Sequence, residues 1–228
     1  MIISIHQPNF LPWIGFFSKI YKSNKFIFLN DSYVNKKNLD YLNRSLFLSN
    51  DKKKYFSIPV KKNFHTQKIL NLELDNTQEW TKNFLNFIHA NYNKCEFFED
   101  GYSIILSLID KKFEFLVDLN IYLITKLFKN LNIKKEIYFS SEFTINSKST
   151  QRIIDLVKIS KGQIYLTGTG SLNYLDKNEF IKNKIKLEIN QVNHPIYLQN
   201  KSKNFTPGLS ILDIIMNCGF SKTEKFLK

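Results

Sequence analysis

The sequence predicts an α/β protein: a doubly wound, mainly parallel sheet with a helical insertion in the middle of the chain. Three observations point there. The first thirty or so residues run strand, loop, helix, strand. The last third alternates strand and helix again, and the stretch between them has helical periodicity.

The elements follow in order. Residues 2–5 form a short apolar run that reads as a buried strand, closed by a turn bearing Pro8 and Pro12. Residues 13–22 place Trp13, Phe16, Phe17 and Ile20 at helical spacing, and residues 25–29 return as a strand. Residues 56–60 read as a strand. Residues 78–92 carry Trp80, Phe84, Phe87 and Ile88 on one helical stripe. Residues 102–130 are the strongest helical pattern, with Ile105, Leu108, Ile109, Phe115, Leu116, Leu119, Leu123 and Leu127 as the buried face and a break expected near Lys111 and Lys112. Residues 136–139 read as a strand, and Ser149 or Thr150 as the cap of a helix reaching about Ile159. Residues 163–166 are a further strand, followed by Thr167-Gly168-Thr169-Gly170. Asp176 and Glu179 fit a variant capping box on a short helix, and residues 186–189 fit another strand. Ser210 and Asp213, explained by helix capping, open a last helix that is expected to stop at Gly219. All of this reads as a single domain over residues 1–228, with the helical insertion at about 76–132.

Composition narrows the function classes. Hydrophobic residues make up 43% of the 228, enough for a sizeable core, so a disordered chain is excluded. The apolar start carries neither a basic flank nor an uninterrupted span, so neither a signal peptide nor membrane insertion is expected. Cys95 and Cys218 lie far apart, with no disulfide framework and no zinc spacing; a reducing, cytoplasmic location fits. His65, His89 and His194 are isolated, so no metal site is expected.

The net charge is +13, yet of 33 basic residues only Arg44 and Arg152 are arginine. Lysine enrichment alongside Asn, Ile and Phe points to an AT-rich genome rather than a dedicated nucleic-acid surface, although attraction for polyanions follows either way. Arginine retained in such a chain points to a planar, bidentate donor to carboxylate or phosphate, a guanidinium stacked on an aromatic ring, or a structural ion pair.

The chemistry-bearing residues gather at strand ends. His6 closes the first strand, at the edge where open parallel sheets bind ligands, and an imidazole there is a candidate general base. The bland alternative is a histidine satisfied by a backbone carbonyl. Gln7 and Asn9 can orient an amide or hydroxyl, and Trp13 can wall a pocket. Asp31 ends the second strand, and Asn43-Arg44 follows; an Asx-turn and a surface ion pair are the alternatives there. Residues 167–170 follow a strand, so their backbone N–H groups can cradle an anion; an ordinary tight turn is equally compatible. Ser140-Ser141 is only a faint nucleophile candidate.

Taken together the residues resemble the WbqC-like family of bacterial proteins, found with polysaccharide and O-antigen biosynthesis genes. The resemblance covers nearly the whole chain. Its specific part is His6-Gln7-Pro8-Asn9-Phe10-Leu11-Pro12-Trp13-Ile14-Gly15-Phe16. Supporting it in order are Asn30-Asp31, Asn43-Arg44, Ile58-Pro59-Val60, Ser140-Ser141-Glu142, Arg152, Tyr165-Leu166-Thr167-Gly168 with Gly170, Tyr174-Leu175-Asp176, and Leu209-Ser210-Ile211-Leu212-Asp213. Members often carry two acidic residues where this chain has Asn30-Asp31, so this chain has one carboxylate where they have a pair. They often carry serine where Thr167 stands.

The resemblance implies a transferase that places an acyl or aminoacyl group, glycyl among them, on the amine of a nucleotide-linked amino sugar. The implied donor is an aminoacyl-tRNA, an acyl adenylate or a thioester, with no tightly bound cofactor. His6 and Asp31 are then the catalytic candidates. Gln7, Asn9, Trp13, Asn43, Arg44, Ser141, Arg152, Thr167, Gly168, Gly170 and Tyr174 are the substrate-binding ones. The alternatives are an ATP-using nucleotidyltransferase or ligase of the same pathway, and a non-enzymatic module binding RNA or an assembly partner.

Overall fold

A computed structural model of the protein describes residues 1–62, 67–200, 202 and 204–228, the side chain of Lys37 excepted. His65 lies outside the described residues. In chain order the elements are β1 (Ile2–His6), α1 (Ile14–Lys22), β2 (Lys25–Phe28), α2 (Lys36–Leu42), β3 (Arg44–Ser49), β4 (Lys52–Ser57), α3 (Trp80–Tyr92), α4 (Phe98–Leu106) and α5 (Leu116–Asn130). They continue with β5 (Glu136–Phe139), α6 (Ser149–Ile159), β6 (Ile164–Thr167), α7 (Lys177–Lys182), β7 (Lys186–Ile189) and α8 (Ile211–Lys225).

Five strands form one sheet in the order β5-β2-β1-β6-β7, and every pairing is parallel. The chain starts at the centre with β1, adds β2 and β5 on one side, then crosses over to add β6 and β7 on the other. The direction of growth therefore reverses between β1 and β6. In doubly wound sheets that reversal opens a crevice beyond the carboxyl ends of the two strands.

Strand alternation sorts the core into two faces. Phe26 and Phe28 point to the larger core, with Phe16, Phe17 and Ile20 of α1, Leu123 and Leu127 of α5, and Ile214 and Ile215 of α8. Ile27, Ile3 and Ile5 point to the other side, against Ile154, Leu156 and Val157 of α6 and Phe180 of α7. Truncating a fully buried ring such as Phe26 to alanine costs about 3–5 kcal/mol in cores of this kind. Both faces of the sheet are thus covered, as a parallel sheet requires.

Between β2 and β5 lie α2, the antiparallel hairpin β3–β4 and the helices α3 to α5. The hairpin and α2 carry weak sequence signals: β4 is half lysine, and α2 is a short polar helix with a reciprocal box between Asn35 and Asn38 at its start. The strand expected at residues 56–60 is shifted to Lys52–Ser57, and Val60 keeps only an isolated bridge to Leu74. The long helical pattern divides into α4 and α5, and the turn between them leaves Ile109, expected in the core, 58% exposed.

The helix breaks at Gly219 as expected, at φ +73, and a further helical stretch follows the kink to Lys225. Two other local expectations are corrected. Neither Ser149 nor Thr150 caps α6. Lys148 holds the cap position, and the Thr150 hydroxyl accepts instead from the Asp176 amide at 3.1 Å. Capping does account for Ser210, which accepts from the Leu212 amide at 3.3 Å, but not for Asp213. The Asp213 carboxylate is fully buried and accepts from Tyr92 at 2.9 Å, Tyr197 at 2.6 Å and Gln199 at 3.3 Å. It pins the segment before α8 to the body of the protein.

Candidate active site at the carboxyl edge of the sheet

His6 is the last residue of β1 and so stands at the mouth of the β1/β6 crevice. Its Nδ1 lies 2.9 Å from the Gln7 carbonyl oxygen, and its ring meets Phe16 edge-on at 5.0 Å. Burial, then the positive charge of Lys19, drive its pKa down to about 3, against the opposing pull of the Gln7 carbonyl. The imidazole is therefore neutral at pH 7. Its one N–H is drawn to Nδ1 by the carbonyl, which leaves the lone pair on Nε2.

The loop that follows, residues 7–13, is held from beneath. Leu11 sits at φ 38, a left-handed conformation costing a branched side chain of the order of 1–2 kcal/mol. Its carbonyl accepts from both Ser45 at 2.7 Å and Ser210 at 2.9 Å, fixing that strained peptide. Asn120 donates to the Pro8 and Leu42 carbonyls, each at 2.8 Å. Phe10 and Leu11 are buried anchors. Much of the N-terminal block is therefore scaffold. His6, Gln7, Asn9 and Trp13 are the members with some exposure.

Gln7 donates to the Ser32 hydroxyl at 2.9 Å. The buried Asn9 Oδ1 has no hydrogen-bond partner among the described residues. Trp13 stacks on His194 at 4.8 Å, and its ring lies over Gly15, where a Cβ would fall 2.2 Å from the indole. Any larger residue at position 15 displaces Trp13.

Past β2 a second polar cluster joins two strand ends. Asp31 is held by Arg152 at 2.5 Å and by the Ser140 hydroxyl at 2.5 Å. Arg152 also donates to the Ile145 carbonyl at 2.9 Å. Asn30, beside Asp31, exchanges bonds with Ser141: Asn30 Nδ2 donates to Ser141 Oγ at 3.0 Å, and the Ser141 amide donates to Asn30 Oδ1 at 3.1 Å. Asn30 thus joins the ends of β2 and β5 through both its donor and its acceptor, which two carboxylates could not do.

Arg44 stands apart from this cluster. It pairs with Asp40 at 2.9 Å and stacks over Tyr55 at 4.4 Å, and Asn43 donates to the Ile58 carbonyl at 2.9 Å. Both secure the hairpin to α2. At the end of β6 the Thr167 hydroxyl meets Ser171 Oγ at 2.6 Å, so it is spent within its own turn. Gly168 and Gly170 face open space, with nothing within 4 Å of an added Cβ, and Tyr174 is exposed.

Sequence reasoning missed Lys19. It lies on α1, is 3% exposed, and donates to the Ile5 carbonyl at 3.0 Å. Among the described residues no carboxylate forms an ion pair with it, and burial lowers its pKa to about 7. The signal was present: Lys19 follows Phe16 by one helical turn and falls on the stripe that also holds Ile20. Asn190, also buried, was missed as well.

A recess of about 520 Å³ lies elsewhere, at the kink in α8, lined in part by Phe97, Asp100, Cys218, Phe220 and Lys222. Among the described residues no group of three or more His, Cys, Asp or Glu is placed to hold a metal ion, and no helix is long and apolar enough to cross a membrane.

The family model of the WbqC-like protein family matches residues 7–225, from the loop after His6 to the end of α8. The chain belongs to the WbqC-like family. A relative of similar length is "Uncharacterized protein Rv1507c" of Mycobacterium tuberculosis (strain ATCC 25618 / H37Rv), 25% identical over 222 residues that cover 95% of this chain and 94% of the relative. No solved structure matches.

Proposed function

We propose that this WbqC-like protein is a transferase that places an acyl or aminoacyl group on the free amine of a nucleotide-linked amino sugar during synthesis of a bacterial surface polysaccharide. The observation that carries the reading is His6: a neutral imidazole at the switch-point crevice, its Nδ1 tied to the Gln7 carbonyl at 2.9 Å and its Nε2 lone pair available. The family resemblance supplies the sugar context.

In the proposed reaction the sugar amine attacks the activated acyl carbonyl. The nitrogen lone pair forms the new N–C bond, the donor's leaving group departs with its electron pair, and the amine proton passes to His6 Nε2. The imidazole is a weak base while Lys19 stands beside it unopposed, because its protonation places two positive charges together in a buried site. In this reading Gln7, held by its bond to Ser32, orients substrate beside the imidazole. The Asp31–Arg152 pair, with both partners already engaged, fixes the neighbouring strand end rather than moving protons.

The test is a transfer assay with nucleotide-linked amino sugars and glycyl donors of the adenylate, thioester and tRNA types, read by the mass of the acylated sugar. The reading expects product with the wild type and loss of product with His6→Ala, which still binds the sugar nucleotide. Equal turnover by that variant contradicts the base role. ATP-dependent release of pyrophosphate or AMP without acyl transfer favours the ligase alternative.

A further inference from the structure

Lys19 stands where the sheet opens. The ladder between β1 and β6 runs from Ile2–Ile164 to Ser4–Leu166 and then stops, although β1 continues to His6 and β6 to Thr167. The Ile5 carbonyl lies just past the last pair, and Lys19 Nζ donates to it at 3.0 Å. On the far side of the opening the Thr167 carbonyl accepts from the Asn190 amide at 2.7 Å, and the Asn190 side chain donates to the Gly15 carbonyl at 3.4 Å. The Lys19 ammonium thus meets β1 just past its last pair with β6, and Gly168, the first residue after β6, has nothing within 4 Å of an added Cβ.

Structural duty explains little of this. A buried cation without a counter-charge costs several kcal/mol, and a single neutral carbonyl recovers only part of it. Methionine or leucine would fill the same space on α1 at no such cost. A protonated lysine carries three N–H donors, and the bond to Ile5 uses one of them. In its protonated form Lys19 therefore has two donors and a charge to offer a ligand entering the crevice.

We propose that Lys19 is a ligand-binding residue that holds a phosphoryl oxyanion of the substrate in the split between β1 and β6. The anion would enter past Gly168, which presents no side chain, and meet the ammonium beside His6. Offsetting the lysine's charge would also remove one of the influences that hold the imidazole neutral, so anion binding would raise the proton affinity of His6 when substrate is present. The inference rests on the switch-point location of the site, not on acyl transfer.

The experiment is calorimetric titration of wild type, Lys19→Met and the surface control Lys52→Met with inorganic pyrophosphate, uridine diphosphate and citrate. Lys52 is exposed on the hairpin, so its variant reports binding to the general lysine surface. The proposal expects the phosphoryl probes to bind wild type and Lys52→Met alike, and Lys19→Met at least tenfold more weakly, with citrate weak throughout. Lys19→Met removes a buried charge and is expected to fold; its melting curve checks this. Equal binding by Lys19→Met and wild type overturns the proposal, as does absence of binding of either phosphoryl probe to wild type. Citrate binding that matches the phosphoryl probes and depends on Lys19 overturns the phosphoryl assignment. None of these outcomes requires turnover, so failure of the transfer assay leaves this result intact.

Discussion

Arg152 holds Asp31 at 2.5 Å across the carboxyl edge of the sheet, while its other terminal nitrogen donates to the Ile145 carbonyl at 2.9 Å. One guanidinium thereby ties the end of β2 to the segment leading into α6. A lysine ammonium is a point donor and cannot span both acceptors in that fixed fork. Arg152→Lys is expected to lower stability by about 1.5–3 kcal/mol, the range for a hydrogen bond to a charged group. Urea unfolding of this variant, Asp31→Asn and the double variant measures the coupling. Additive single effects would show that the pair does not act as a unit.

Lys19→Met is expected to stabilise the fold by a few kcal/mol at neutral pH and below, since it removes a desolvated charge. The pH dependence has a definite sign. The folded pKa, about 7, lies below the ordinary value of 10.5, so the unfolded chain holds the extra proton between those values. Wild type therefore carries the full penalty below pH 7 and recovers stability as pH rises toward 10.5, and the variant's advantage shrinks across that window. Melting temperatures measured from pH 6 to 10 test this, and a constant difference would contradict it.

Asp213→Ala removes the acceptor shared by Tyr92, Tyr197 and Gln199 and is expected to cost about 3 kcal/mol or more. The chain around Tyr197 and Gln199 should then become the first site of limited proteolysis, because those two side chains are anchored by Asp213. Burial raises the Asp213 pKa from 3.8 to about 6, so the charged form is disfavoured in the fold. This group's contribution is fully present below pH 3.8 and is lost as pH rises through about 6. Asp213→Asn should lack that loss, which a comparison of unfolding free energies at pH 4 and pH 7 detects.

Two glycines should respond oppositely. At Gly219 a Cβ would stand 2.8 Å from the Phe97 ring on a backbone of φ +73, so Gly219→Ala is expected to cost about 1–3 kcal/mol. At Gly168 nothing lies within 4 Å of an added Cβ, so Gly168→Ala should leave stability within about 0.5 kcal/mol. It should instead weaken ligand binding at the crevice mouth. Thermal melts of both variants, with titration of the second, separate packing from function.

The framework of the fold was legible because its signals are strong and local. Ile3, Ile5, Phe26 and Ile27 alternate on buried strands, and Phe16, Phe17 and Ile20 mark one helical face. The hairpin was hidden because β4 opens on Lys52, Lys53 and Lys54 and buries none of its six residues, so no alternating pattern marks it; it is held by pairing with β3. The site was half legible. His6 and Asp31 announce themselves by residue type at strand ends. Lys19 does not, because a lysine among 33 basic residues passes for surface until its helical face is counted. Asp213 was masked by its position in the first turn of a helix, where capping accounts for most acids. No local rule brings Tyr92 and Tyr197 to it.

The central claim, that ligand binds at the switch-point crevice around His6, is tested most directly by nitrogen NMR of the imidazoles, with His6→Ala used for assignment. At pH 7 the account predicts a neutral His6 bearing its proton on Nδ1, with its Nε2 resonance shifting on addition of a nucleotide-linked amino sugar. A charged imidazole at pH 7, or a His6 signal that stays fixed at saturating ligand, would contradict it.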